Sequence, residues 1–204
     1  MEKFFNLPVD KQKTIIDAAL KSFAANGYKK TSVSDIASAA GISKAMIFHY
    51  FGTKKALYLY LIELCGNTIM NEIEGKFDYK VTDFFERIRI SANIKISVMK
   101  KHPAIPAFLT SMYFEADEEV NEDIKTILSK SEGFRSKIAF DGMDYSKFKQ
   151  GIDPKLVMKM LVCLAEGYMN QISNRKEVDY EAFFKEFEEF LDLLRNNFYK
   201  EEYV

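Results

Sequence analysis

Residues 31–51, TSVSDIASAAGISKAMIFHYF, decide the fold. Thr31 or Ser32 stands ready to cap a helix, and Asp35 falls in its first turn, where a carboxylate suits the positive helix end. That short helix closes at Gly41, after which Ile42 and Ser43 lead into a third helix, KAMIFHYF, with Ser43 as its cap. Ala37 is small enough for a second helix to cross closely, Gly41 permits the tight turn, and Ile47 plugs the crossing; together they make a helix-turn-helix. With about 100° between successive residues, the reading places Ile47, Phe48 and Phe51 inward as core. Ala45, Met46, His49 and Tyr50 then share the other side, beside Lys44. A face of small, polar and aromatic groups suits a recognition helix lying in the major groove of DNA, its first residues against base edges.

Upstream, about residues 10–26 read as an amphipathic helix with Ile15, Ile16, Ala19, Phe23 and Ala24 on one face, and Gly27 supplies its left-handed stop. Downstream, a fourth helix at about residues 53–74, capped by Thr53, links head to body, so that a shift at its far end tilts the recognition helix. Residues 1–60 hold nine lysines against four carboxylates, a surplus of five, whereas the remaining 20 basic residues face 26 acidic ones, a deficit of six. A net charge of -1 thus hides a basic head on an acidic body, which points to a polyanion met by the head alone.

The body reads as helix almost throughout, because apolar residues recur every three or four positions and only four prolines and nine glycines interrupt 204 residues. Helices are expected at about residues 82–101, 105–116 and 118–139, and the glycines at 142 and 151 bracket a loop. Asp153 and Pro154 then start a helix to about residue 175, and a last one covers about residues 179–199. On that last helix Phe183, Phe184, Phe187, Phe190, Leu191, Leu194 and Phe198 share one face, opposite Lys185, Glu189, Asp192 and Asn196. The helix before it is apolar nearly all round, with Lys159 and Glu166 on one narrow flank, so it must be covered all round, by its own domain or by a second copy. The fold class is all-α.

Composition removes other classes. With 18 Phe and 11 Tyr the chain has enough surface to bury a real core, which disorder would leave unused. The two cysteines, Cys65 and Cys163, stand in no ligand-like spacing, so a disulfide scaffold is excluded and a reducing cytoplasm is expected. No apolar run is long enough for a signal peptide or a membrane span. Two distant histidines, no G-x-S-x-G elbow, no phosphate-cradling loop and no paired-carboxylate or His/Cys metal spacing leave enzyme chemistry without residues. Neither a catalytic residue, a metal nor a cofactor is expected, and Glu115, Asp117, Glu118 and Glu119 read as a solvated helix start.

The head resembles a known family. Residues 15–57 are similar to the N-terminal DNA-binding domain of the TetR (tetracycline-repressor-like) family of bacterial transcriptional regulators. The likeness is carried by Phe23, Gly27 and Tyr28; by Thr31-Ser32-Val33 before Asp35-Ile36-Ala37; by Ala40-Gly41-Ile42-Ser43-Lys44; and by His49-Tyr50-Phe51 followed by Lys54 and Leu57. It implies an N-terminal three-helix helix-turn-helix DNA-binding domain, residues 1–53 with the motif at about 32–51, joined to a larger helical ligand-binding and dimerisation domain, residues 54–204. It implies DNA contacts from Ser32, Val33 and Ser34, from Ser43, Lys44, Ala45, Met46, Phe48, His49 and Tyr50, and from Lys54 as a phosphate ligand at a helix start. Two positions depart from the common pattern: Ala45 stands where many members have glycine, and Phe48 where many have a tyrosine able to bond phosphate.

The same resemblance implies a dimeric four-helix bundle from the last two helices, with Leu161, Leu164, Phe184, Phe187 and Leu191 at the interface. It also implies a small-molecule cavity in the body, for which Met99, Phe108, Met112, Tyr113, Phe114, Met158, Tyr168 and Met169 are candidate lining residues. The expected function is a homodimeric, ligand-responsive DNA-binding regulator, a repressor released from a palindromic operator by a small, largely apolar effector. Its expected partners are double-stranded DNA, that small molecule and a second copy, with no membrane. The competing reading is a helical protein-binding module without sequence-specific DNA binding; the basic head and outward Ser43, Lys44 and Lys54 argue against it.

Overall fold

The computed structural model describes residues 1–173 and 179–204, and the side chains of residues 169, 172, 173 and 180 lie outside the description. Among the described residues the chain is helical and forms no strand; Phe148 and Tyr199 make an isolated antiparallel bridge. In chain order the helices are α1 (Glu2–Phe5), α2 (Val9–Lys30), α3 (Val33–Ala39), α4 (Lys44–Phe51), α5 (Lys54–Lys76), α6 (Phe84–Lys101), α7 (Ala104–Tyr113), α8 (Asn121–Phe140), α9 (Pro154–Ser173) and α10 (Tyr180–Phe198). Short 3-10 turns cover Tyr145–Lys147 and Glu201–Tyr203.

Contacts divide the chain into two compact units, Met1–Glu72 with Ile96–Glu132, and Ile73–Lys95 with Gly133–Val204. The division differs from a boundary at residue 53, because α5 buries Leu57, Tyr58, Leu61, Ile62 and Cys65 in the core of the first unit and α7 packs along α2. That core is built on rings: Phe23 and Tyr58 meet edge to face at 4.8 Å, and Tyr58 meets Phe108 at 5.6 Å. Edge contacts of this kind add to area burial, since the positive edge of one ring meets the negative face of the next.

In the second unit Phe84, Phe85, Phe148 and Tyr199 form the corresponding cluster, with Val157, Leu161 and Leu191 packed around it. The Tyr199 hydroxyl accepts from the Phe84 backbone N–H at 3.0 Å, so the residue that follows α10 also caps the start of α6. Arg87 is fully buried there. Its Nε donates to the Ile138 carbonyl at 2.7 Å, Nη1 donates to the Val81 carbonyl, and the guanidinium lies 5.0 Å from the Phe77 ring.

Helix limits follow the side chains that compete for the backbone. Asp153 and Asp179 cap α9 and α10 through bonds to Lys155 N, and to Glu181 N and Ala182 N. Helix α7 stops at Tyr113, three residues before the sequence reading ends it, because a Glu115 carboxylate oxygen accepts from the N–H groups of Ala116 and Asp117. Helix α5 runs through Gly75 to Lys76, and α8 starts at Asn121 after a turn in which Asp117 accepts from Glu119 N. Helix α1 has no counterpart in the sequence reading. Four residues cannot sustain a helix alone, and it is Phe4, 1% exposed, that docks this one.

Candidate functional site

The turn between α3 and α4 is set by backbone chemistry. Gly41 takes φ +66°, its N–H donates to Ser38 O at 3.1 Å, and the Ile42 N–H donates to Ala37 O at 3.0 Å. This pair of bonds closes a helix with a left-handed glycine, a conformation that costs a residue with Cβ about 1 kcal/mol or more. Ser32 caps α3 by accepting from Ser34 N at 3.2 Å, and Ser43 caps α4 by accepting from Met46 N at 3.3 Å. Each hydroxyl satisfies an amide that the helix start leaves without a partner.

Helix α4 then presents Lys44, Ala45, Phe48 and His49 to solvent, with Met46 half-buried, and Ser43 and Ser34 exposed nearby. Two assignments of the sequence reading change places. Phe48 is 38% exposed and Tyr50 only 6% exposed. Ile47, Tyr50 and Phe51 are related by steps of three and four and so share one face, whereas Phe48 lies about 100° away from Ile47. The Lys44 ammonium stands 5.8 Å from the Phe48 ring, so charge and aromatic surface occur together on the outer face. Val33, 6% exposed, also belongs to the core, which leaves Ser32 and Ser34 as the outward side chains at the start of α3.

Lys54 is committed within the chain. Its ammonium donates to the Tyr28 carbonyl at 3.0 Å and lies 4.2 Å from the Tyr28 ring, so the expected phosphate ligand is a tie between α5 and the tail of α2. From the other side, the Tyr28 N–H donates to a Glu115 carboxylate oxygen at 2.6 Å. Gly27 makes room for that oxygen: its φ is +69°, and a Cβ placed there would stand 3.1 Å from it. The Ser111 hydroxyl donates to Phe23 O at 3.1 Å, adding a second polar tie between α7 and α2. Glu115 is thus part of a clamp and not of a solvated helix start, a role invisible in sequence because its partner lies 87 residues away.

The clamp carries a prediction. Lys54→Ala should lower the stability of the first unit by about 1–2 kcal/mol, since a charge-assisted bond to a carbonyl is lost, and should weaken DNA binding through the displaced tail of α2. Denaturant unfolding measured beside a salt titration of DNA binding checks it. An unchanged unfolding midpoint with a shallower salt slope would return Lys54 to a phosphate-anchoring role.

Free positive charge remains around the helix-turn-helix. Lys29, Lys30 and Lys44 are exposed and form no ion pair among the described residues, whereas Lys55 is engaged by Asp123 at 2.7 Å.

The pocket candidates are distributed over both units. Phe108 and Met112 are close-packed core of the first unit, 0% and 4% exposed, and α7, lying along α2, places the Phe108 ring against Phe23 and Tyr58. Met99 is half-buried, and Tyr113 and Phe114 are exposed, their rings 5.2 Å apart. In the second unit Met158 packs beside the core, and Tyr168 meets Phe183 edge to face at 4.8 Å. The Met169 side chain lies outside the described residues.

Two of the residues assigned to a dimer interface are buried within the protomer. Leu161 and Leu191, 3% and 0% exposed, face the second unit's own core, and Leu164 and Phe187 are half-buried against it, while Phe184 is half-buried with its ring 5.1 Å from that of Phe183. Because α9 is apolar around most of its girth, the side turned away from that core still exposes Leu156, Met160 and Cys163, spaced four and three residues apart on one stripe. Among the described residues no helix is long and apolar enough to cross a membrane.

Comparison with known proteins assigns the same segment. Residues 15–61 match the family described as bacterial regulatory proteins, tetR family. The fatty acid metabolism regulator protein of Bacillus subtilis (strain 168) is 26% identical over 178 residues, covering 84% of this chain and 89% of that protein. Among solved structures, a TetR family transcriptional regulator from Chloroflexus aurantiacus J-10-FL superimposes with a TM-score of 0.73 at 23% identity, covering 98% of each chain. The Bacillus subtilis regulator FadR, solved in complex with stearoyl-CoA, gives a TM-score of 0.70 at 23% identity, covering 88% of this chain and 96% of that one. With a capped helix-turn-helix in the matched segment and a helical body of the same fold behind it, the chain carries in residues 15–61 the domain of the tetR family of bacterial regulatory proteins and shares the overall fold of a TetR family regulator.

Proposed function

We propose that the protein is a homodimeric repressor that holds a palindromic operator through α4 and releases it when a small amphiphilic molecule binds the body. The observation that carries the DNA-binding part is the outer face of α4, where Lys44, Ala45, Phe48 and His49 are exposed at the end of a capped, glycine-closed turn and beside unpaired Lys29 and Lys30. Lys44 donates to guanine O6 and N7, and the Ala45 methyl and Phe48 ring suit a thymine methyl. Lys29 and Lys30 supply phosphate contacts, which set register without reading sequence. Support for an acyl effector comes from the relatives: one is named for fatty acid metabolism, and FadR was solved with stearoyl-CoA. Effector control then requires different effector affinities in the bound and released forms, and α5, α6 and α8, each with residues in both units, are the covalent links available to carry it.

Selection of bound DNA from a random pool tests this reading. A palindrome is expected, with half-sites about one helical turn apart, roughly 34–36 Å, or a multiple of it. On the selected site, Lys44→Ala should shift preference at one base pair by about 1–3 kcal/mol. Equal loss on every sequence would make Lys44 a phosphate anchor and move base reading to Phe48 and His49. A pool that yields no enriched DNA would favour a helical protein-binding module instead.

A further inference from the structure

Helix α1 is too short to persist by itself, and three neighbours hold it in one place. The Phe4 ring packs against Phe51 and Tyr50 of α4 at 4.8 and 6.1 Å. Phe5 meets Tyr60 of α5 at 6.1 Å. The Gln12 side-chain amide of α2 donates to the carbonyls of Phe5 and Leu7 at 3.1 and 2.8 Å, which ties down the turn that follows. All of these residues belong to the first unit.

This docking fixes where Lys3 goes. Successive helical residues are about 100° apart, so with Phe4 inward and Phe5 turned to α5, Lys3 leaves on the opposite flank and Glu2 points away from the core. Lys3 is exposed and forms no ion pair or hydrogen bond among the described residues. On α4, Tyr50 lies at the edge of the buried face and His49 just beyond it on the exposed side, their rings 5.8 Å apart. Helix α1 therefore borders the His49 edge of the outer face of α4, while Lys44 and Phe48 lie at the other edge. The exposed Lys29 and Lys30 stand on a different side. They follow Tyr28, which packs on Tyr58 of α5 at 5.0 Å, whereas Phe4 packs on Tyr60 at 6.0 Å. Two positions apart on a helix, Tyr58 and Tyr60 point about 160° away from one another, so the tail of α2 and α1 flank the start of α5 from opposite sides.

A helix in the major groove has a phosphate strand on either side of it. Packed helices stand about 8–10 Å apart and the groove is about 12 Å wide, so a helix packed beside α4 overlies a bordering strand. The backbone that carries Lys3 is already fixed, and a phosphate contact costs only the ordering of one side chain. We propose that Lys3 is a phosphate-contacting residue of the DNA-binding surface, and that α1 serves as the arm that holds its ammonium against the strand beyond the His49 edge of α4. The proposal rests on the reading of α4 as a DNA-recognition helix and adds to it the phosphate strand opposite the one met by Lys29 and Lys30. Such a contact sets register and carries no base preference.

Titration of the full chain with the selected operator at several salt concentrations tests it. Lys3→Ala should weaken the operator and its single-base variants by the same factor and make the salt slope shallower by about 1 per subunit, whereas Lys3→Arg should keep the slope. Lys130→Ala, which removes an exposed charge on α8 within the same unit, should leave the slope unchanged. Ethylation of operator phosphates reads the contact directly: in each half-site, one phosphate whose ethylation weakens the unaltered protein should lose that effect in Lys3→Ala. The unfolding midpoint of Lys3→Ala should not move, because the side chain has no partner in the fold. An unchanged slope in Lys3→Ala, an equal change in Lys130→Ala, an ethylation pattern identical to that of the unaltered protein, or a loss confined to particular bases would each overturn the proposal and leave the DNA-binding reading standing. An unaltered protein that enriches no DNA would overturn both.

Discussion

Phe4→Ala is expected to cost the first unit about 3–5 kcal/mol, the loss typical of truncating a fully buried phenylalanine. Phe4 is 1% exposed, and its ring centroid lies 4.8 Å from Phe51, 6.0 Å from Tyr60 and 6.1 Å from Tyr50. Two of those partners are on α4, so the ring joins the N-terminal turn to the inner face of the recognition helix. Helix α1 has four residues and no side-chain cap, and it cannot persist once its anchor is gone. Its undocking uncovers Tyr50 and Phe51 and loosens α4, which is itself only eight residues long. Denaturant unfolding should show the lowered stability, and DNA titration should show weaker binding to the selected operator. Phe4→Leu, which keeps most of the buried volume, should restore most of both. A Phe4→Ala protein with unchanged midpoint and unchanged DNA affinity would show that α1 does not hold α4.

Met160→Glu should convert a dimer into a folded monomer and weaken operator binding by about 100-fold or more, because two linked half-site contacts become one. Met160 is 40% exposed and lies on the α9 stripe with Leu156, 58% exposed, and Cys163. A glutamate there meets water in the isolated chain and an apolar partner in an assembled pair, so the change acts on association and spares the fold. The equivalent change at Leu161 is a poorer test, since that side chain is 3% exposed in the protomer's own core and a charge there would unfold it. Sedimentation equilibrium, circular dichroism and operator titration read the three consequences separately. A Met160→Glu protein that still dimerises would move the interface off this stripe, and a monomer with undiminished affinity would break the link between assembly and DNA binding.

The helix-turn-helix was legible because its determinants are local. Ser32, Ser43 and Gly41 act on amides and carbonyls within five residues of themselves, so their types and spacing carry the geometry directly. The assignment of Phe48 to the core and Tyr50 to the surface failed on a finer point. Both are aromatic, two residues apart, and what decides between them is the direction from which Phe4 and the rest of the core approach α4. Leu161 and Leu191 were misplaced for a related reason: the apolar girth of α9 shows that it is covered, and only the folded unit shows which side its own chain covers.

By itself, the order of residues determined the all-α class, the capped turn, the basic head and most helix starts, all of which depend on interactions between near neighbours in the chain. Only the tertiary structure decided that Glu115 and Lys54 hold Tyr28 from two sides and that Phe4 anchors the recognition helix. Those arrangements join residues 26 to 87 positions apart, or depend on which face of a helix is covered. Helical periodicity leaves such choices open until packing closes the core.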